Sequence, residues 1–168
     1  MTADKFISLT ALVVSIIALG CSVYFWRRQF RPIITAAVRT ARSGNTAITY
    51  NLEILNSGSI PAKNIVLRAD ESTLSRSLGA DATVQNKDRW LSCFAPTTCI
   101  SILQNQSRVT CSFGTTKAND QGFWKYRAQI KITIEYEGWF GNNYSETQNI
   151  EIVDSDSFTN STWGDRDV

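Results

Sequence analysis

The sequence predicts an all-β domain behind one N-terminal transmembrane α-helix. Three observations lead there. Residues 6–26 form an uncharged apolar run, two long segments alternate strictly between apolar and polar residues, and Gly, Asn, Ser and Pro turn signals punctuate the rest.

The apolar run reads FISLTALVVSIIALGCSVYFW. As a helix it spans about 31 Å at about 1.5 Å per residue, enough to cross a hydrocarbon core about 30 Å thick. A cleaved signal peptide has a shorter apolar region and ends in small residues. Here Tyr24, Phe25, Trp26, Arg27 and Arg28 close the run, which suits a retained interfacial end. Residues 1–5 are then a short N-terminal tail and 27–32 a basic juxtamembrane junction. Trp26, Arg27, Arg28 and Arg31 form an interface anchor attracted to anionic lipid headgroups. Three arginines outweigh Lys5, so the positive-inside rule places the following domain in the cytoplasm, with a periplasmic domain as the alternative.

Ser8, Ala11, Ser15, Ala18 and Ser22 step by three and four residues along this helix. Small side chains on one seam let two helices approach closely inside a bilayer, so the seam points to pairing with a second copy or with another subunit's helix.

Strand signals fill the rest of the chain. In 46–56, Ile48, Tyr50, Leu52 and Ile54 share one face. In 125–137, Tyr126, Ala128, Ile130, Ile132, Ile134 and Tyr136 share one face, opposite Arg127, Gln129, Lys131, Thr133 and Glu135. Both read as antiparallel strands with one side on a core and one in water. Weaker strands fall at 32–40, 64–68, 99–104, 108–114 and 144–153. About seven strands at this spacing predict an immunoglobulin-like antiparallel β-sandwich over 33–153, with a barrel as the alternative. Residues 70–90 are polar and poorly periodic. They predict a short irregular strand or a partner-binding loop, with a turn or two of helix at 72–78. Residues 154–168 are acidic and aperiodic and predict a disordered tail.

Charge and residue types narrow the chemistry. With 17 Lys+Arg against 15 Asp+Glu, the net charge of +2 gives no electrostatic case for nucleic acid. The chain has no histidine, which removes the commonest general base and metal ligand and every Ser-His-Asp or Cys-His arrangement. There is no glycine-rich phosphate loop, and no cofactor or metal site is expected. Glu135 and Glu137 share a polar strand face. A pair of carboxylates can do acid/base work, but with Lys131 and Arg127 nearby cross-strand charge pairing is the expectation. Asp154 and Asp156 are too few ligands for a specific cation site.

Of four cysteines, Cys21 lies in the helix and Cys93, Cys99 and Cys111 in the domain. Their spacing fits no zinc pattern. In a reducing cytoplasm they are expected as buried thiols. In an exported domain, Cys99 and Cys111 would oppose each other across a tight turn at Asn105 and could pair.

Two aromatic pairs flank the long alternating segment, Phe123-Trp124 before it and Trp139-Phe140 within a Gly138–Gly141 turn. Exposed at a tip, Trp139 and Phe140 would contact a partner pocket or a membrane surface. Tryptophan's usual burial favours the other arrangement, in which they fold back and plug an open end of the sandwich.

The stretch Asn56-Ser57-Gly58-Ser59-Ile60-Pro61-Ala62-Lys63-Asn64-Ile65-Val66-Leu67 resembles the N-x-G-x-x-P/D-A-x-N-V-x-L turn of CARDB-type and related immunoglobulin-like domains of prokaryotes. Residues 102–108 are similar to the later L-x-P-G-x-S turn, with Gln104 and Asn105 replacing Pro and Gly. The resemblance spans 33–153. With the Arg31-Pro32 junction, the chain also resembles small bacterial membrane proteins of this build. It implies a domain that binds or spaces, with structural residues at the matched positions and no catalytic residue. The expected function is a non-enzymatic, single-pass interaction or scaffolding subunit of a bacterial inner membrane. Its expected partners are lipid, other proteins and a second copy of itself. The alternative is an effector or sensor whose domain binds a small ligand and whose helices then assemble.

Overall fold

The computed structural model describes residues 3–44 and 46–155, without the side chains of 3–6 and 27–29. The chain divides into two compact units, Met1–Arg31 and Pro32–Val168. In the first, α1 (Ala3–Gln29) is a single helix. Its segment Ile7–Trp26 is long and apolar enough to cross a membrane, and none of it is buried.

The second unit is two antiparallel sheets around one core. Its strands are β1 (Ile34–Ser43), β2 (Ala47–Asn56), β3 (Ala62–Ala69), β4 (Ile100–Leu103), β5 (Arg108–Lys117), β6 (Gln129–Gly138) and β7 (Asn143–Glu151). One sheet runs β1-β2-β5 and the other β4-β3-β6-β7. The seven strands match the predicted segments, and so does the phase of the two strongest. Tyr50, Leu52 and Ile54 face inward from β2, and Ile130, Ile132, Ile134 and Tyr136 from β6. Alternation places every second side chain on the core, where burying a large apolar one contributes about 1.5–3 kcal/mol.

The phase predicted for 125–137 fails at its start. Arg127 has φ +60° and donates its N–H to Ile152 O at 2.8 Å, so β6 begins only at Gln129. Tyr126 is therefore turned outward, 39% exposed. A bulge interrupts β5 as well. Thr49 pairs with Thr115 but Asn51 with Ser112, so one β2 residue faces two on β5, and Gly114 takes φ +84° there.

Residues 70–90 hold no irregular strand, and the turn or two of helix expected at 72–78 is present. They form α2 (Glu71–Ser77) and α3 (Val84–Trp90), followed by a 3-10 turn at Ser92–Phe94. Asp70 caps α2 by accepting from Thr73 N–H, and Thr83 caps α3 by accepting from Asn86 N–H. The Ser72 hydroxyl and the Thr73 amide hold the Asp70 carboxyl below its ordinary pKa. Where β3 ends, α2 takes over the edge of β6. Thr73 Oγ1 accepts from Lys131 N–H, and the Ser77 hydroxyl donates to Gln129 O. Gly122 sits so close to β5 that a Cβ would lie 2.7 Å from the backbone of Thr115, Thr116 and Lys117.

The aromatic pair in the core is Phe123-Trp124, both fully buried. Trp124 packs against Phe113 at 4.9 Å and Phe123 at 4.7 Å between ring centres, and its Nε1–H bonds Phe113 O. The first two residues of the predicted tail, Asp154 and Ser155, are instead tied to β1. Asp154 is buried and accepts from the Thr40 hydroxyl at 2.8 Å, and Ser155 exchanges two bonds with Thr40. Residues 156–168, and with them Asp156, lie outside the described residues.

Candidate functional site

Two features of the β domain stand apart from its closed core. The first is the β6–β7 hairpin tip. Gly138 N–H bonds Asn142 O, and Gly141, at φ +79°, turns the chain. Trp139 and Phe140 are 49% and 46% exposed, so they do not fold back as a plug, whereas Phe123 and Trp124 are buried. Lys63 Nζ lies 4.3 Å above the Trp139 ring. The tip stands at the end of the domain where the chain enters. Tyr136, stacked on Tyr144, hydrogen-bonds Pro32 O at 3.3 Å, and a Cβ on Gly138 would touch Pro32 Cδ. Asn56 ties the same end together by bonding Ile33 N–H, Gly58 N–H, Ile60 O and Leu103 O. The turn motif read from the sequence thus has a buried asparagine as its hub.

The second feature is an apolar cavity of about 250 Å³ between the sheets, at the side where β4 and β5 are the edge strands. Leu52 and Ile54 line it from one sheet and Ile65, Leu67 and Ile100 from the other, with Cys93 and Cys111 also in its wall. No lining residue is charged. Cys93 is buried on the 3-10 turn, and Cys111, half-buried on β5, stands opposite Leu52. The Cys93 thiol hydrogen-bonds the Cys111 sulfur, which favours the Cys111 thiolate. That bond, with burial, pushes Cys93 up; for Cys111 it outweighs burial and lowers the pKa, helped by the Leu52 backbone.

The cysteine geometry differs from expectation. β4 pairs with β3 and β5 with β2, so the Asn105 turn crosses between sheets and is no hairpin. Cys99 does not face Cys111, and it is exposed where a buried thiol was expected. A four-residue connection reads the same in sequence whether it joins paired strands or two sheets.

The polar face of β6 is engaged in pairing, with different partners from those expected. Glu135 Oε2 is 3.1 Å from Arg68 Nε, and Glu137 accepts from Asn64. On α1, Ser8, Ala11, Ser15, Ala18 and Ser22 are all exposed, and the Ser15 hydroxyl donates to Ala11 O at 2.8 Å. Trp26 packs on Phe30, and Arg31 is exposed; the side chains of Arg27 and Arg28 lie outside the described residues. Among the described residues no group of three or more acidic, histidine or cysteine side chains could hold a metal ion.

Fold and surface define a class: a two-sheet antiparallel β domain carried behind one apolar N-terminal helix. Within that class, a family described as a domain of unknown function, DUF8453, matches residues 5–155, and the chain belongs to it. The match takes in both α1 and the β domain. No curated protein matches the chain.

Proposed function

We propose that this protein is a single-pass membrane protein whose immunoglobulin-like β-sandwich is a non-enzymatic interaction or scaffolding module held at the membrane surface. The observation that carries the reading is α1. Its 20-residue segment Ile7–Trp26 is apolar, exposed and long enough to cross a bilayer, whose hydrocarbon core would cover that surface. The strand order supports the immunoglobulin-like reading, because three strands face four and the chain changes sheets after β2, β4 and β5. Arg27, Arg28 and Arg31 favour a cytoplasmic domain at a bacterial inner membrane.

The hairpin tip is where this module meets its partner. Trp139, Phe140 and Lys63 gather at one tip of the β domain, where Lys63 lies over the Trp139 ring. Exposed aromatics beside a cation fit the surface of another protein at the same membrane. The test is the size of the complex extracted from native membranes in mild detergent. The intact protein migrates with its partner, and a Trp139→Ser/Phe140→Ser variant migrates as the lone chain. A wild type that already migrates alone, or a variant that migrates as wild type does, contradicts the reading.

A second reading, a sensor that binds a small ligand, is favoured by the apolar cavity between the sheets. Its thermal unfolding would shift upward with small apolar compounds, and Leu67→Trp would abolish the shift by filling the space.

A further inference from the structure

The β4–β5 side of the domain holds a pair of thiols in one apolar cavity, and nothing in the interaction reading uses it. We propose that Cys93 and Cys111 are an oxidisable dithiol whose substrate class is an organic hydroperoxide entering that cavity.

Three features carry this. Cys93 and Cys111 line the same space, so a molecule inside it lies beside both residues. Their environments are unequal: Cys111 is half-buried on β5, and Cys93 is buried on a short 3-10 turn. One thiol is thus placed to be oxidised first and the other to resolve the product. The remaining wall is mostly aliphatic, with only the hydroxyls of Ser92, Thr98 and Thr110, and this suits an alkyl or aryl tail better than a hydrated ion. The hydrogen bond from Cys93 supports the same order of events, because it stabilises the Cys111 thiolate, the nucleophilic form. Two sulfurs without a third ligand in the wall do not make a closed zinc site.

The chemistry balances with the hydroperoxide as oxidant. Cys111 thiolate attacks the terminal peroxide oxygen. The O–O bond breaks, an S–O bond forms, and the alkoxide takes a proton and leaves as the alcohol. Cys93 sulfur then attacks the Cys111 sulfenic acid. The S–S bond forms, the S–O bond breaks, and hydroxide leaves as water with the Cys93 proton. Two thiols lose two electrons, and one hydroperoxide becomes alcohol and water. The disulfide ties the Ser92–Phe94 turn to β5 across the cavity wall.

The test uses the reduced full chain in detergent micelles, treated with cumene hydroperoxide or with hydrogen peroxide and mapped by mass spectrometry after alkylation. The expected product is a Cys93–Cys111 cross-linked peptide with Cys99 still alkylated. It forms several-fold faster with cumene hydroperoxide. Cys93→Ser stops at a Cys111 sulfenic acid that dimedone traps, and Cys111→Ser leaves Cys93 reduced. Dimedone labelling at Cys99 before Cys111, a Cys99–Cys111 link, or no internal disulfide would overturn the proposal. Equal rates for the two peroxides would overturn the cavity as the entry route. None of these results depends on α1 lying in a membrane or on a partner at Trp139, so a failure here leaves those readings standing.

Discussion

Asn56 Nδ2 donates to Leu103 O at 3.2 Å, binding the end of β2 to the end of β4 in the opposite sheet. Its other amide hydrogen reaches Ile60 O, and its Oδ1 accepts from Ile33 and Gly58. Asn56 is fully buried, so each lost bond leaves a polar group without water to replace it. Asn56→Ala should cost about 3 kcal/mol, from several buried bonds at roughly 1 kcal/mol each. Asn56→Asp should be at least as harmful, since a carboxylate cannot donate and would face two carbonyl oxygens. Urea unfolding of the two variants measures this, and an Asp variant as stable as wild type would contradict the hub.

The phase of β6 separates neighbours. Ile132→Asp places a charge in the core and should unfold a domain whose whole stability is about 5–15 kcal/mol. Thr133→Asp lies on the outer face between Arg68 and Thr147 and should change stability by less than about 1 kcal/mol. Circular dichroism of both variants distinguishes them, and equal tolerance would mean the strand is turned over.

Gly122 is a contact between backbones. Because the nearest atoms to an added Cβ are main-chain atoms of β5, no side chain can swing away. Gly122→Ala should therefore destabilise by about 1–3 kcal/mol, the usual cost of overpacking. A variant with an unchanged unfolding midpoint would show that the segment can lift from β5.

Cys111 carries a pH dependence of its own. Its thiol pKa is lowered to about 7, by the Cys93 hydrogen bond first. Only the thiolate reacts, so alkylation of Cys111 should rise through that pH, while exposed Cys99 serves as the reference. Cys93→Ala removes the donor and should move the Cys111 profile upward. Because the folded pKa is below the unfolded one, the folded state releases its proton first. This group's contribution to stability therefore grows as pH rises from about 7 toward the unfolded thiol value of 9.0 and is lost as pH falls below 7. Profiles identical in Cys111 and Cys99 would contradict the thiol contact.

The strands were legible because their signal is local. β2 and β6 each expose one face to water, so apolar and polar residues alternate, and Asn and Gly mark the turns between them. The short helices were legible only in part: a turn or two was expected where α2 lies, and α3 was missed. Seven residues give about two turns, too few for a 3.6-residue period to stand out, although Asp70-x-x-Thr73 is a readable cap. The thiol pair was hidden for a different reason. Whether Cys111 meets Cys99 or Cys93 depends on which sheet β4 joins, and that is a tertiary choice. Trp124 and Trp139 are likewise one residue type in similar Gly-aromatic settings, yet one is buried and the other exposed. Their difference lies in Gly122, which lets its segment settle on β5, and in the hairpin that lifts Trp139 away.

Whether α1 spans a bilayer is measured most directly by alkaline carbonate extraction of membranes from cells producing the full chain. A helix buried across the hydrocarbon core stays in the membrane pellet at high pH, because its apolar surface, and not charge, holds it there. The protein should remain wholly in the pellet, and a variant with Val14→Lys and Ile17→Lys should appear in the supernatant. Recovery of the wild-type chain in the supernatant would contradict a membrane-spanning α1.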